Sequence, residues 1–509
     1  MDNDSAHHAN IALRMHLTGD YVNLLDNGTP YMDKPHLHFW LAAFSYKIFG
    51  VTGFAYKLPS FLFTIAGTYC TYRLGSVLYT RETGRLAALI LASSFAYILA
   101  NNDVRMDAIL TACIIFSAWQ LVEFVNSKKF LNVVAASLGL ALGFCTKGHI
   151  AVLVPGIGIL CYLLYRNELK TILDLKWPML ILLFFIFIAP VVYCYYRQFN
   201  LQGVRFILWE QNFERFQGGR FGSDGENDYM FFFHTFLWAF APWSILAFVA
   251  FINRIRNLLS RKEEWLTTGI FATMIVLITF SNFKLPHYLN IIFPFTAIMT
   301  SHWLLSIAGK PKWINPVFII QSIVVVIAFI IICILNVWAF PLQSGWIAAG
   351  TVLLLSVVFY FTKNKNLTLF KKGITISASS MVVVFFLLNS NFYPQLLRYQ
   401  AGNELAKTVK GSIDPANIYF WNDTHSPSLS FYLSNERKLF SDTLFVNKKP
   451  LWLVFDKKNI PELEAKGYLF GKEFSHVDYS ITQLSLNFLN PAQRKELSSE
   501  LILAEVLSK

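Results

Sequence analysis

Charge is scarce in this chain. Asp, Glu, Lys and Arg make up 15% of its 509 residues, while 55% are hydrophobic and the mean hydropathy is +0.45. Soluble globular chains carry about 25% charged residues, so this shortage argues against a soluble multidomain enzyme. Cysteine is also sparse: all six (Cys70, Cys113, Cys145, Cys161, Cys194, Cys333) fall in apolar segments, which disfavours a disulfide scaffold. No CxxC, HExxH, P-loop or GxGxxG pattern occurs, and no internal repeat is evident.

Long apolar runs take the place of these features. Twelve candidate spans read as 56–72, 87–101, 108–125, 131–146, 149–165, 178–196, 230–252, 266–281, 288–307, 314–338, 345–361 and 373–390. Most approach the roughly 20 residues that cross a bilayer as a helix. Helices are the expected form, because hydrocarbon cannot satisfy an open strand edge. The expected organisation is an outer interfacial loop over 1–55, a multi-span helical domain over 56–390, and a small α/β domain over 391–509. Within the tail, Asn403–Lys410 reads as helix, Asn417–Trp421 and Leu451–Phe455 as strands, and Pro491–Leu507 as a closing helix.

The net charge of +12 first suggests an anionic partner such as nucleic acid. Its distribution removes that reading. Six alternate loops (73–86, 126–130, 166–177, 253–265, 308–313, 362–372) hold 18 basic and five acidic residues, whereas the tail is nearly balanced and everything else is slightly acidic. The basic loops therefore report cytoplasmic sidedness. Residues 1–55 and the tail then face the outer side. Residues 1–30 lack a signal peptide's basic and apolar regions, and an even span count puts both termini outside, so one further span is expected upstream.

The few bases left on the outer side need an explanation. They gather in compact groups: Asp33-Lys34-Pro35, Asp103-Val-Arg105-Met-Asp107, Thr146-Lys147-Gly148 and Lys284-Leu-Pro286-His-Tyr288. An isolated Lys at a helix end simply snorkels. Four such groups read better as a cavity that collects an anion, and a lipid-borne phosphate suits Lys and Arg. Asp4 has two readings: a general base toward a hydroxyl, or the cap of a helix over Ser5–Leu17. Ala9–His16 reads as an amphipathic helix, Gly19-Asp20 and Asn27-Gly28 as turns, and Pro35–Phe49 as an interfacial aromatic helix.

In this order, Asp4-Ser-Ala-His-His-Ala, Gly19-Asp20, Asn27-Gly28, Tyr31, Asp33-Lys34-Pro35, Arg105-Met-Asp107, Thr146-Lys147-Gly148, Arg215-Phe216 and Lys284–Tyr288 resemble a known family. It is that of the polyprenyl-phosphate-dependent glycosyltransferases related to aminoarabinose transferase and the protein O-mannosyltransferases, which have the GT-C fold. The resemblance implies an all-α polytopic membrane protein with thirteen spans and an exported C-terminal domain. It also implies sugar transfer from a polyprenyl phosphate to a lipid or protein acceptor at the outer face of the cytoplasmic membrane.

By position, Asp4 matches the acidic residue assigned as catalytic, a general base, and Asp33 is the second catalytic candidate. Lys34, Arg205, Arg215, Lys284 and Tyr288 are the candidates for the donor phosphate, supported by Arg105, Asp107 and Lys147. The sequence departs from the pattern at Ser5 (often Glu), His8 (often Tyr), Asp33 (often Glu) and Asn212 (often His in aminoarabinose enzymes). With Asn212 and no Cys/His cluster in the outer loops, a divalent metal has no support and no cofactor is implied. A lipid-linked sugar transporter and a non-catalytic family member are the alternatives. Glu123 is the only ionisable residue inside a span on the cytoplasmic half, which favours an enzyme cavity over a path through the membrane.

Overall fold

The computed structural model describes residues 3–102, 104–210, 228–261, 263–281, 283–422, 424, 426–441, 450–481 and 484–508, apart from the side chains of Asn3 and Asp4. The N-terminal segment is built, as expected, from a helix, a turn and a second helix. Helix α1 (Asn3–Thr18) leads into a ribbon of β1 (Leu25–Asp26) and β2 (Thr29–Pro30), paired Leu25 with Pro30 and Asp26 with Thr29. Its turn is Asn27-Gly28, at φ 47° and 84°, the left-handed region where Asn and Gly cost least. Helix α2 (Leu37–Phe49) packs Phe39, Ala42, Ala43 and Tyr46 against Ala6, Ala9, Leu13 and Met15 of α1.

The helical domain follows with α3 (Gly53–Leu78), α4 (Arg81–Ala92), α5 (Phe95–Leu99), α6 (Asp107–Ser127), α7 (Phe130–Lys147), α8 (Ile150–Arg166) and α9 (Lys176–Arg205). Thr52 and Thr80 cap α3 and α4 by accepting from the backbone N–H of Ala55 and Thr83. A Cβ on Gly84 would stand 2.3 Å from the Tyr72 carbonyl, so this glycine lets α4 lie directly on α3. Helices Phe231–Ala239, Ser244–Arg256, Leu266–Thr279, Phe293–Ile307, Pro311–Cys333, Gly345–Lys363 and Leu369–Leu387 complete the domain.

Among the described residues, seven helices are long and apolar enough to cross a membrane, and an eighth counts if one bent pair is a single span. The inside and outside of the bundle differ in an informative way. The window of α6 is 83% buried, while Pro311–Ala339 is the most apolar segment, with hydropathy 3.2, yet only 17% of it is buried. Such an outward-facing apolar wall belongs in hydrocarbon. The protein is a polytopic, mainly helical membrane protein.

The expected spans 230–252 and 87–101 are not continuous. The first breaks into Phe231–Ala239 and Ser244–Arg256, which meet at a 120° bend, and the second into α4 and α5. Hydropathy averages over a break that Pro242 imposes in the first, where no backbone N–H is available for the helix ladder. The segment 288–307 begins as a 3-10 turn, Pro286–Ile292, before its α-helix.

The tail forms the expected α/β unit, with one correction. The helix Ala401–Val409 covers a four-stranded sheet of order β3-β4-β6-β5, from β3 (Ile418–Phe420), β4 (Leu451–Asp456), β5 (Leu469–Asp478) and β6 (Ser499–Ser508). β3 runs parallel to β4, and the other pairs are antiparallel. In place of the closing helix expected over Pro491–Leu507, the chain runs through turns and then forms β6, an inner strand of the sheet. Glu, Leu and Ala favour a helix there, but Leu501 and Leu503 enter one core layer and Ile502, Ala504 and Val506 the other. Burial on both faces outweighs intrinsic propensity. Arg494 ties this unit to the helices, donating to the Ala339 carbonyl at 2.9 Å and stacking 4.0 Å over Phe340.

Candidate functional site

The N-terminal end of α6, the C-terminal end of α7 and the turn Pro286–Ile292 converge. Helix α6 brings Asp107 there, only 3% exposed. Helix α7 ends at Lys147, whose Nζ donates to Asp107 Oδ1 at 2.7 Å. The turn supplies His287, with Nε2 3.8 Å from Asp107 Oδ2, and Nδ1 3.2 Å from Arg105 Nη1. Tyr288 lies beneath Lys147, 5.3 Å from ring centroid to Nζ. Four of the expected residues, Arg105, Asp107, Lys147 and Tyr288, therefore form one connected group. The buried carboxylate is compensated by cations, as burial demands.

His287 is the member that sequence reasoning passed over. It sits inside the Lys284–Tyr288 motif, so the signal was present, but nothing local distinguishes a bridging imidazole from a packed one.

The N-terminal segment packs against this group. Ser5 Oγ donates to the Val104 carbonyl at 2.8 Å, and Tyr56 Oη reaches the same carbonyl at 3.4 Å, which fixes the backbone just before Arg105. Tyr195 Oη of α9 donates to the Met32 carbonyl at 3.0 Å, holding the segment that carries Asp33 and Lys34. Those two form an ion pair with each other.

His8 Nε2 meets Tyr31 Oη at 3.2 Å, and its ring packs edge-on to His38 and Phe39. Burial drives His8 well below the ordinary imidazole range, and the nearby charges of His38, Lys34, His7 and Arg105 push the same way. Burial likewise lowers His38 to about 4, opposed only by Asp107. Lys34 and Arg105 thus act on one imidazole although 71 residues separate them in the sequence.

Other expected residues lie apart or outside this description. Lys284 is buried, 4% exposed, with Nζ 5.4 Å above the Tyr229 ring. Arg205 is largely exposed and pairs with Glu210 at 2.7 Å. The Asp4 side chain and Arg215 lie outside the described residues. Asp4 itself stands in the first turn of α1, one turn before His8, so a Ser5 start for this helix is two residues late.

A second buried ionic group lies in the basic loop 253–265. Arg254, 2% exposed, pairs with Glu263 at 2.5 Å and Glu264 at 3.3 Å, while Tyr79 donates to Glu264 at 2.9 Å. It ties the end of α3 to helices Ser244–Arg256 and Leu266–Thr279. Among the described residues, no three or more His, Cys, Asp and Glu side chains converge as metal ligands would.

This fold is shared with solved structures. ArnT from Cupriavidus metallidurans bound to undecaprenyl phosphate matches with a TM-score of 0.74 at 15% identity, over 99% of this chain and 93% of that one. Residues 33–194 match the family model described as dolichyl-phosphate-mannose-protein mannosyltransferase. An undecaprenyl phosphate-alpha-4-amino-4-deoxy-L-arabinose arabinosyl transferase of Pseudomonas fluorescens is 24% identical over 62% of this chain and 56% of its own length. A protein of Aquifex aeolicus is 23% identical over 82% of this chain and 78% of its own. The chain spans about half the length of the curated arabinosyl transferases it matches.

The helical membrane fold is thus shared with ArnT over nearly the whole chain, and residues 33–194 carry the family signature.

Proposed function

We propose that this protein transfers a sugar from a polyprenyl phosphate to a lipid acceptor on the outer face of the cytoplasmic membrane. The carrying observation is the convergence of Lys147 and His287 on buried Asp107, with Arg105 at the other ring nitrogen of His287. Cations held among apolar helices suit an anion that arrives on a lipid.

In this mechanism the cations Lys34, Arg205, Arg215 and Lys284 neutralise the charge that develops on the leaving phosphate oxygen, an electrostatic stabilisation of the transition state. Tyr288 holds Lys147 from below, and Asp107 fixes Lys147 and His287. Asp33 keeps Lys34 oriented through their ion pair. Asp4 takes the proton from the acceptor hydroxyl as its oxygen attacks the anomeric carbon. The bond to phosphate breaks on the opposite side, so the anomeric centre inverts. The concentration of basic residues in alternate loops supports an active site on the opposite, non-cytoplasmic side.

Two measurements test this reading. Mass spectrometry of envelope glycolipids and glycoproteins in a deletion strain should reveal one missing glycan, restored by the wild-type chain and not by Asp4→Asn. Full restoration by Asp4→Asn would remove Asp4 as the base. A missing protein glycan with unchanged glycolipids would replace the lipid acceptor by a protein.

A further inference from the structure

The short helix Pro427–Tyr432 belongs to the tail, yet two of its apolar side chains enter different cores. Leu429, 0% exposed, packs into the tail's own core with Leu405 and Ala406 of the helix Ala401–Val409. Phe431, equally buried, packs into the core of the N-terminal segment. Residues two apart on a helix do not share a face, so this one turn reaches in both directions.

The helix is clamped from both sides. A Cβ on Gly402 would stand 2.2 Å from Ser426 Oγ and 3.0 Å from the Leu429 nitrogen, so this glycine lets the helix Ala401–Val409 lie flush against it. Across the other face, Asn10 Nδ2 of α1 donates to the Pro427 carbonyl at 2.8 Å, and Arg14 Nε lies 3.8 Å from Glu436 Oε1.

The other buried members of the core that receives Phe431 lie, among the described residues, at positions 6–56 and at Val104 and Met106. The Phe431 ring is 6.0 Å from the Tyr46 ring and 6.5 Å from the Tyr56 ring, tilted against the first and edge-on to the second. Tyr56 Oη meets His38 Nε2 at 3.1 Å and reaches the Val104 carbonyl at 3.4 Å. Val104 and Met106 are the two chain neighbours of Arg105. The Arg105 backbone is therefore anchored on both sides in the core that Phe431 completes, while its guanidinium lies against His287. Close packing fixes such a backbone, and taking a ring out of the core frees it.

We propose that Phe431 is a positioning residue: through this ring the tail domain sets the Val104–Met106 backbone, and so holds the Arg105 guanidinium where the donor phosphate binds. The proposal rests on the glycosyl-transfer reading above and gives the tail a part in donor binding. Phe431 is apolar and buried, so it acts on the phosphate only through Arg105.

The test titrates undecaprenyl phosphate onto the full chain in detergent, read by native mass spectrometry. Hydrogen exchange is followed on the same samples over the first turn of α6, where the Leu110 amide donates to the Met106 carbonyl at 3.0 Å. Phe431→Ala should weaken binding about tenfold and raise that exchange. Phe431→Leu, which refills most of the space, should bind within about threefold of the wild type. It carries the same comparison at smaller amplitude if the Ala variant folds poorly. Phe488→Ala is the control: it removes an equally buried ring of the tail from a different core, where it stacks 3.6 Å from Tyr479. Both readings should stay as in the wild type. In an Arg105→Gln background, Phe431→Ala should add less than about twofold, because the group it positions is gone.

Unchanged exchange in the Phe431 variants overturns the proposal. Equal losses of affinity in Phe431→Ala and Phe488→Ala overturn it as well, by showing a general effect of loosening the tail. So does a full effect that persists without the Arg105 guanidinium. A wild type that binds no undecaprenyl phosphate removes the donor reading and the role at the phosphate with it, and the exchange data separate that failure from a failure of Phe431 to hold the backbone.

Discussion

Asp107→Asn removes the only carboxylate that Lys147 and His287 share among the described residues. The Lys147 nitrogen lies 2.7 Å from Asp107 Oδ1, and both side chains are almost wholly buried. At an effective dielectric of about 20, unit charges at that separation attract by about 6 kcal/mol. Desolvation cancels much of this, and breaking a buried pair from one side typically costs about 3–5 kcal/mol. Asn keeps the shape and one acceptor oxygen, so the loss reports charge rather than volume. Lys147 would then sit uncompensated beside Arg105.

The assay is thermal and denaturant unfolding in detergent for Asp107→Asn, Lys147→Met and the double variant. Each single change should cost about 3–5 kcal/mol, and the double should cost well below their sum, because Met leaves no buried charge behind. Strictly additive losses, or an Asp107→Asn protein within about 0.5 kcal/mol of wild type, a surface-like effect, would refute the reasoning. Undecaprenyl phosphate binding, measured on the same samples, should weaken in Lys147→Met.

Acid should loosen the N-terminal segment through His38. Burial holds its folded value at about 4, below the ordinary imidazole value of 6.5, so its contribution is complete above about pH 6.5 and is lost as the pH falls toward 4. Hydrogen exchange over α1 and α2 should rise across that window, and His38→Phe should reduce the slope, the remainder coming from buried His8 and His36. Arg254→Ala should destabilise by about 3–5 kcal/mol in unfolding measurements, leaving Glu264 buried and unpaired, with undecaprenyl phosphate affinity unchanged in the folded fraction. Gly84→Ala should cost about 1–3 kcal/mol by overpacking α4 against the Tyr72 carbonyl, read as a lower midpoint with normal donor binding.

Much of the site is legible in the sequence, because ionisable residues in an apolar chain are few and conspicuous. Arg105, Asp107, Lys147 and Tyr288 stand out for that reason, and the structure joins them. His287 and the Arg254 group do not stand out. A histidine inside a motif, and an arginine in a basic loop, look the same whether they are solvated or locked in a buried pair. The error over Ser499–Ser508 has the same source: its neighbours β4 and β5 are distant in sequence, and only their presence makes a two-sided burial pattern.

The sequence by itself determined what is local: which stretches are apolar enough to be helices in lipid, which loops carry the positive charge, and where Asn27-Gly28 turns the chain. These follow from hydropathy, from charge and from the φ each residue tolerates. Only the tertiary structure decided what is non-local. It broke 230–252 at a bend, turned a helix-forming segment into an inner strand of a sheet, and brought residues 105, 107, 147 and 287 within hydrogen-bonding or ion-pair reach. Those outcomes depend on which surfaces bury one another, and a buried charge must find its partner wherever the chain places it.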